Sequence, residues 1–576
     1  MRAVLPAMVG LCCIWGCTPA EYARQADEAA YSTLRGGRGA ALGKSTDFEV
    51  DYRPLPVEQN DQQLRIRLDD KSIPLSGDKD TPVTLDEALR IAFRNSRELQ
   101  DRKEQLYSQA LALASARRSW NWTDWSLPVD ADAEHTAVHH DGDTNASTAD
   151  AELSLTRRFI HGGVLVLAAG VDFATDFTGG SNTTVGSLVD ANLTQPLLRG
   201  AWSGAAYEDH YRRERDFLFA VYEYERFRET FATNVVTRYY SLLTSRDRLR
   251  NEQENIERLE NTWQWTQIQA ENGEVSVIQA HQARQDLLEA QIRYEQLQES
   301  YRDEVDRFKI FLGLPLRSGV VPDYPGGVER IMEVEPRDLG IEEAEAVRVA
   351  LSTRPDVLTQ AASLRDAARD VELAADDFLP QLDVELAAAA EGTDPRDFWR
   401  VRFHEHQRMA RVTFSYDLDQ TANRDAYRNA ILDYEKARRD LAEFLDEVRL
   451  EVRRAYRSLQ RSRRSYELQT ENVRIARQRR ALAVEEQKSG MASARDVLEA
   501  EAGLLRALNG LTSARLSYET TRLEFLATLG LVAVDERGQI HERHEPFRFD
   551  RIERIYEYLS GEQDSGSVNA ATDPAD

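Results

Sequence analysis

Residues 485–499 read EEQKSGMASARDVLE, and residues 268–282, 217 positions earlier, read IQAENGEVSVIQAHQ. Each holds a lone glycine, Gly490 and Gly273, inside a long charged stretch. Upstream of them, residues 204–271 and 421–488 contain no proline and are rich in Arg, Glu, Ala, Leu and Gln. Leu242, Leu249, Ile256 and Trp263 lie seven apart, as do Leu459, Tyr466 and Val473. Leu441, Leu445, Val448, Val452, Ala455 and Leu459 step by four and three, the seam of a coiled coil. At about 1.5 Å per residue each stretch makes a rod of roughly 100 Å, which has no place inside a compact domain. A helix end commonly needs a left-handed residue, and glycine adopts that conformation without steric penalty. Gly273 and Gly490 therefore read as the tips of antiparallel helical hairpins, and Gly313 and Gly530 as the stops of the returning helices.

The two hairpins are copies. A shift of 217 aligns Leu242 with Leu459, Leu287 with Leu504, Tyr301 with Tyr518, Phe308 with Phe525 and Gly313 with Gly530. A shift of 258 aligns EALRIAF at 87–93 with EAVRVAL at 345–351. The difference of 41 means that the first copy carries extra residues between its early and long helices, in the region TRRFIHGGVLVLAAGVDFATDFTGGSNTT. Such self-similarity marks an internal duplication. The first repeat covers 84–315, with strands about 126–198, a long helix about 204–271 and a helix about 275–312. A linker, 316–340, leads to the second repeat, 341–532, with strands about 381–419, a long helix about 421–488 and a helix about 492–529. Residues 533–576 form a partly disordered tail.

Between the helices the periodicity changes from 3.5 to two. VDADAEHT at 129–136, VDANLT at 189–194, LDVEL at 382–386 and VTFSYDLD at 412–419 alternate apolar residues with acids or hydroxyls. A half-buried soluble sheet and a barrel wall between lipid and water both have this pattern. After residue 17 no apolar run approaches the ~18 to 20 residues of a transmembrane helix, so any membrane span must be built from strands.

The net charge of −26 argues against nucleic acid as a partner, because phosphate binding needs a basic surface. Cys12, Cys13 and Cys17 are the only cysteines, so no disulfide framework exists beyond them. Residues 1–16, with one basic residue and a short apolar run, read as a secretory signal peptide. Ile14, Trp15, Gly16 and Cys17 resemble a bacterial lipobox, with Trp15 standing where a small residue is usual. Cys17 is then the lipidation site at the head of an N-terminal periplasmic segment, 17–83; the alternative is an incidental cysteine in a simple signal sequence.

LDEALRIAFRNSRELQ at 85–100, EEAEAVRVALSTRPDVLTQ at 342–360, LTQPLLRG at 193–200, TRYYSLL at 237–243, RRAYRSL at 453–459 and the two glycine-tipped hairpins resemble the TolC family of outer-membrane efflux proteins, most clearly over 84–532. The resemblance implies a mixed α and β membrane protein built from two repeats: a homotrimer whose chains each give four strands to a twelve-stranded outer-membrane β-barrel, continued by a periplasmic α-helical coiled-coil tunnel. Ser96-Arg97 departs from the family's usual Asn-Pro, and the apolar segment around Val164 to Val171 exceeds a four-strand count and reads as an additional surface hairpin. Implied with the family are an exit duct for efflux or type I secretion in a Gram-negative-type bacterium, an inner-membrane transporter, and a periplasmic adaptor (membrane fusion) protein. The adaptor docks at the hairpin tips, here Gly273, Glu274, Ser276, Gly490, Met491 and Ser493. Thr18 stands where an aspartate would retain a lipoprotein at the inner membrane, which favours anchoring in outer-membrane lipid, and residues 18–80 are expected to wrap the tunnel.

The resemblance also implies a constriction a few residues past the second tip, at Asp496 and Glu499, with Gln279 and Gln282 at the equivalent positions of the first copy. A spacing of three puts both carboxylates on one helix face. Six acids in a trimer would favour cations; the alternative is a solvated face paired with Arg495. His139-His140 and His404-Glu405-His406 lack metal-site spacing, and Asp376-Asp377 point apart on a helix. No nucleophile-base pair, phosphate loop or dinucleotide fingerprint is present, so neither enzyme activity nor cofactor nor metal is expected. The rival of another class is a lipid-anchored periplasmic coiled-coil scaffold without channel activity, which leaves the duplicated strands with polar inner faces unexplained.

Overall fold

The structure, a computed structural model, describes residues 18–42, 48, 50, 65–68, 71–74, 81–118, 120, 124–126, 129–136, 144–176, 182–323, 339–392, 406–489 and 491–542. Cys17, Gly490, His139-His140, His404-Glu405 and the tail from 543 lie outside them. The chain divides into two units, Met1–Glu49 with Gln105–Tyr222 and Thr359–Leu441, and Val50–Glu104 with Glu223–Leu358 and Ala442–Asp576. No described helix is long and apolar enough to cross a membrane.

The helices follow the heptad spacing and the glycine stops read in the sequence. In order they are α1 (Pro19–Leu42), α2 (Leu85–Asn95), α3 (Arg97–Arg118), α4 (Ser203–Glu271), α5 (Val277–Phe311), α6 (Glu343–Thr353), α7 (Pro355–Asp376), α8 (Thr421–Lys488) and α9 (Ala494–Thr528). Thr84 and Glu87 close a capping box on α2, each bonding the other's backbone N–H. α5 and α9 are both 35 residues long, and their bounds differ by 217; those of α2 and α6, and of α3 and α7, differ by 258. α4 and α8 run 69 and 68 residues.

In the second unit α4, α5 and α9 meet over Leu259, Ala283, Leu287, Ala290 and Leu498, with Ile256 and Trp263 packed against them. Burying a leucine there contributes about 2 kcal/mol, which is how a seam of weak repeats holds helices of this length. Near the helix ends, strand β3 (Thr81–Val83) pairs in parallel with β9 (Val320–Pro322), and the buried Tyr239 hydroxyl donates to the carbonyls of Val83 and Asp323.

The first unit holds the main sheet. Its strands are β4 (Asp124–Ser126), β5 (Val129–Thr136), β6 (Thr144–Arg158), β7 (Val164–Asp176), β8 (Asn182–Pro196), β10 (Gln381–Gly392) and β11 (His406–Ser415). They run β11-β10-β8-β7-β6-β4, and β5 also pairs with β6. β1 (Arg65–Leu68) with β2 (Lys71–Pro74), and β12 (Val532–Val534) with β13 (Ile540–Glu542), form separate two-stranded sheets.

Two expectations change here. The apolar segment Val164 to Val171 is not a separate surface hairpin but part of β7, paired along its length with both β6 and β8. Its run of apolar residues on both faces suits an interior strand. One chain's sheet thus has six positions, where three chains of a twelve-stranded barrel need four each. The strand expected over 412–419 stops at Ser415, and Asp419 lies in the turn ahead of α8, where its carboxylate accepts from the Thr421 N–H at 3.0 Å.

Candidate functional site

Register sorts the sheet residues onto two faces. One carries Leu155, Leu165, Leu167, Ala191, Leu193, Leu386, Ala388, Val412 and Phe414, with Arg157 near the β6–β7 turn and His406 and Arg408 on β11 as its polar exceptions. Val412 and Phe414 are 67% and 65% exposed, far more than a soluble sheet would leave unpacked. The other face carries Asp150, Glu152, Asp190, Asn192, Asp383, Glu385 and Glu391, with Arg158 and Arg411 as counter-charges. Glu385 accepts from Asn192 at 2.8 Å and from Arg411 at 3.2 Å, so these polar groups bond one another across strands. An apolar face opposite an acidic one is what a wall between lipid and water requires.

At the first hairpin tip α4 ends in a Schellman motif: the Glu274 N–H bonds the Gln269 carbonyl and the Gly273 N–H bonds Ala270. Gly273 has φ +77°, the left-handed conformation. The chain re-enters α5 at Ser276, whose hydroxyl accepts from the Ile278 N–H. At the second tip the Met491 N–H bonds the Glu486 carbonyl, the same bond 217 residues on. Ser493 caps α9 in a box with Asp496. Glu274, Ser276, Val277, Ile278 and Met491 are exposed, the last at 76%, which gives the tips apolar contact area.

Asp496 and Glu499 are both exposed, and each has a partner within the chain. The Asp496 carboxylate accepts from the Ser493 N–H at 2.9 Å and the Ser493 hydroxyl at 2.7 Å, which holds it below the ordinary aspartate pKa. Glu499 pairs not with Arg495 but with Arg479 of α8, at 3.0 Å. In the first copy Gln282 is exposed, whereas Gln279 is half-buried with its Oε1 unpartnered.

Sequence reasoning missed a neighbour. Glu501 is 1% exposed and receives Arg258 of α4 at 2.8 Å and Arg480 of α8 at 2.7 Å, tying α9 to both long helices. Asp247, also buried, accepts from Arg250 and from Thr512 of α9, while Asn251 donates to Asn509. The signal was present: Glu501 sits among Val497, Leu498, Ala500 and Leu504, a charge on an apolar seam. Of the remaining acids, Asp376 accepts from the Gly200 N–H at 2.8 Å and Asp377 lies 3.7 Å from Arg199, which makes both structural.

No curated protein sequence matches the chain. Solved channels share its fold: the CmeC outer membrane channel of Campylobacter jejuni is 16% identical, with 86% of this chain and 97% of that one covered at a TM-score of 0.57. The open-state MtrE channel of Neisseria gonorrhoeae is 12% identical, covering 83% and 98% at 0.56, and VceC of Vibrio cholerae 14% identical, covering 77% and 96% at 0.56. The sequence matches the family described as outer membrane efflux protein over residues 172–313 and 346–531. With more than half of its 576 residues matched, the chain belongs to the outer membrane efflux protein family, whose members are transport channels and not enzymes.

Proposed function

We propose that three copies of the chain form the exit duct of a tripartite efflux or type I secretion system. The observation that carries this reading is the sheet with an exposed, largely apolar face and an acidic opposite face, whose two outer edges, that of β11 and that of β4 and β5, pair with no other described strand. Only closure removes such edges in lipid, and the described strands of one chain do not close on themselves. The two internal repeats, 84–315 and 341–532, supply strands to the barrel and glycine-tipped hairpins to a periplasmic tunnel. An adaptor protein docks on the tips at Gly273, Glu274, Ser276, Gly490, Met491 and Ser493 and passes cargo from an inner-membrane transporter. Cys17, acylated, anchors the chain to the outer membrane, where more than one buried chain makes attachment durable.

Asp496 and Glu499 ring the constriction, with Gln279 and Gln282 as the uncharged counterparts of the first hairpin. Liposome reconstitution with mass measurement in detergent tests the channel: a trimer with ion conductance is expected, and a monomer without conductance overturns it. Single-channel recording of Asp496→Asn with Glu499→Gln tests the ring. Reduced cation selectivity is expected, and unchanged conductance and selectivity dismiss the assignment.

A further inference from the structure

We infer that the β6–β7 hairpin forms two staves of the membrane wall, so that three chains close about eighteen strands, not twelve, and admit a wider cargo. This rests on the trimeric channel reading above. β7 pairs with β6 from Ala146↔Asp176 to Arg158↔Val164 and with β8 from Val164↔Thr194 to Asp176↔Asn182, so neither of its edges is free. β6, β7 and β8 are 15, 13 and 15 residues long, and β10 is 12; all exceed the ~9 to 11 residues that a tilted strand needs to cross a bilayer.

The apolar face is continuous through the hairpin. Leu155, Leu167, Ala191 and Ala388 stand in one cross-strand row that ends at Arg408 on β11, and Leu165, Leu193, Leu386 and Ala410 in another that begins at Arg157 beside the β6–β7 turn. A hairpin that projected out of the wall would strip β8 of its partner and expose its backbone groups to hydrocarbon, where no water replaces the lost bonds.

The turn between the two strands points to the same conclusion. The Phe159 N–H bonds the Gly163 carbonyl at 2.7 Å and the Gly162 N–H bonds Phe159 at 2.9 Å, which closes a short turn. Gly162 has φ +78°, and a Cβ there would meet the Gly200 carbonyl at 2.5 Å and Pro196 Cγ at 2.9 Å. The turn is therefore seated against the junction where β8 passes into α4, at the helix end of the sheet. Short turns belong to the periplasmic rim of outer-membrane barrels. Exposed Phe159, Ile160, Leu197 and Trp202 gather there, the apolar and aromatic residues of a membrane interface.

The outer edge of β11 and that of β4 and β5 end the strand order of one chain and meet across copies. Because diameter rises roughly in proportion to strand number, the bore is about 1.5-fold wider and about 2-fold larger in cross-section than twelve strands of equal tilt allow.

Spin labels at Leu155→Cys, Leu167→Cys, Glu152→Cys and Thr156→Cys, in the full chain reconstituted in liposomes, test the inference. The native cysteines all lie at or before residue 17, away from these sites. Labels at 155 and 167 are expected to relax with oxygen, which partitions into lipid, and those at 152 and 156 with a water-soluble nickel chelate. Neutral polymers added to the outside are expected to enter up to about 1.5-fold the radius admitted by a variant lacking residues 144–176. A conducting trimer in which all four labels meet the chelate equally overturns the inference and leaves the channel reading standing. A monomer without conductance overturns both.

Discussion

Glu501 shows how a single side chain can be costly to bury and costly to remove. Desolvating its carboxylate is offset only because Arg258 and Arg480 both reach it. Glu501→Gln leaves Arg258, 18% exposed, facing a neutral group. A loss of about 3 kcal/mol is expected, seen as a lower midpoint in chemical or thermal unfolding. Arg480 is 37% exposed and already partly hydrated. Arg480→Ala should cost less, roughly 1 kcal/mol, and equal shifts for the two variants would contradict the account. The glycines make a paired test of opposite sign. Gly273 needs its left-handed backbone, so Gly273→Ala should destabilise by about 1 kcal/mol. Gly503 lies inside α9 with open space where a Cβ would go, so Gly503→Ala should stabilise by about 0.5 to 1 kcal/mol.

At the scale of elements, the helices were legible because two signals agreed: heptad apolar spacing and glycine stops. Leu242 and Leu459, seven-spaced in the sequence, are buried on α4 and α8. Ser276 and Ser493 cap α5 and α9, 217 residues apart. The strands were less legible. β7 reads VLVLAAGVDFATD, apolar on both faces over its first eight residues, so a search for strict alternation passes over it. Partners in the site were not legible either, since only the fold brings Arg479 to Glu499 and Arg258 to Glu501, 20 and 243 residues apart.

The cap on α9 carries its own pH dependence. Ser493 holds the Asp496 carboxyl below its ordinary value of 3.8, so this contribution is fully present above that value and is lost as pH falls through the lower folded pKa. Hydrogen-exchange protection in the first turn of α9 should therefore fall in acid below about pH 4. Ser493→Ala should have weak protection at every pH, and an identical acid response in both proteins would separate the cap from Asp496.

At the scale of the whole molecule, part of the charge of −26 falls on one face of the sheet. The sheet's polar face carries Asp150, Glu152, Asp190, Asp383, Glu385 and Glu391 against Arg158 and Arg411. Threefold repetition around a closed wall would surround the water column with carboxylates at several depths, and facing acids raise the local cation concentration. Reversal potentials across a KCl gradient should show preference for K⁺ over Cl⁻. The preference should shrink as salt rises from about 0.1 M to 1 M, because the screening length falls from about 10 Å to 3 Å, shorter than the distance from wall to axis. Glu385→Gln with Asp383→Asn should weaken the preference at low salt, while Asp376→Asn, which alters a bond to the Gly200 N–H at the helix junction, should leave it unchanged. If the wall variant matches the native channel while Asp496→Asn with Glu499→Gln loses selectivity, the hairpin tips set ion preference and the wall serves only as passage. The reverse pattern would put the filter in the membrane.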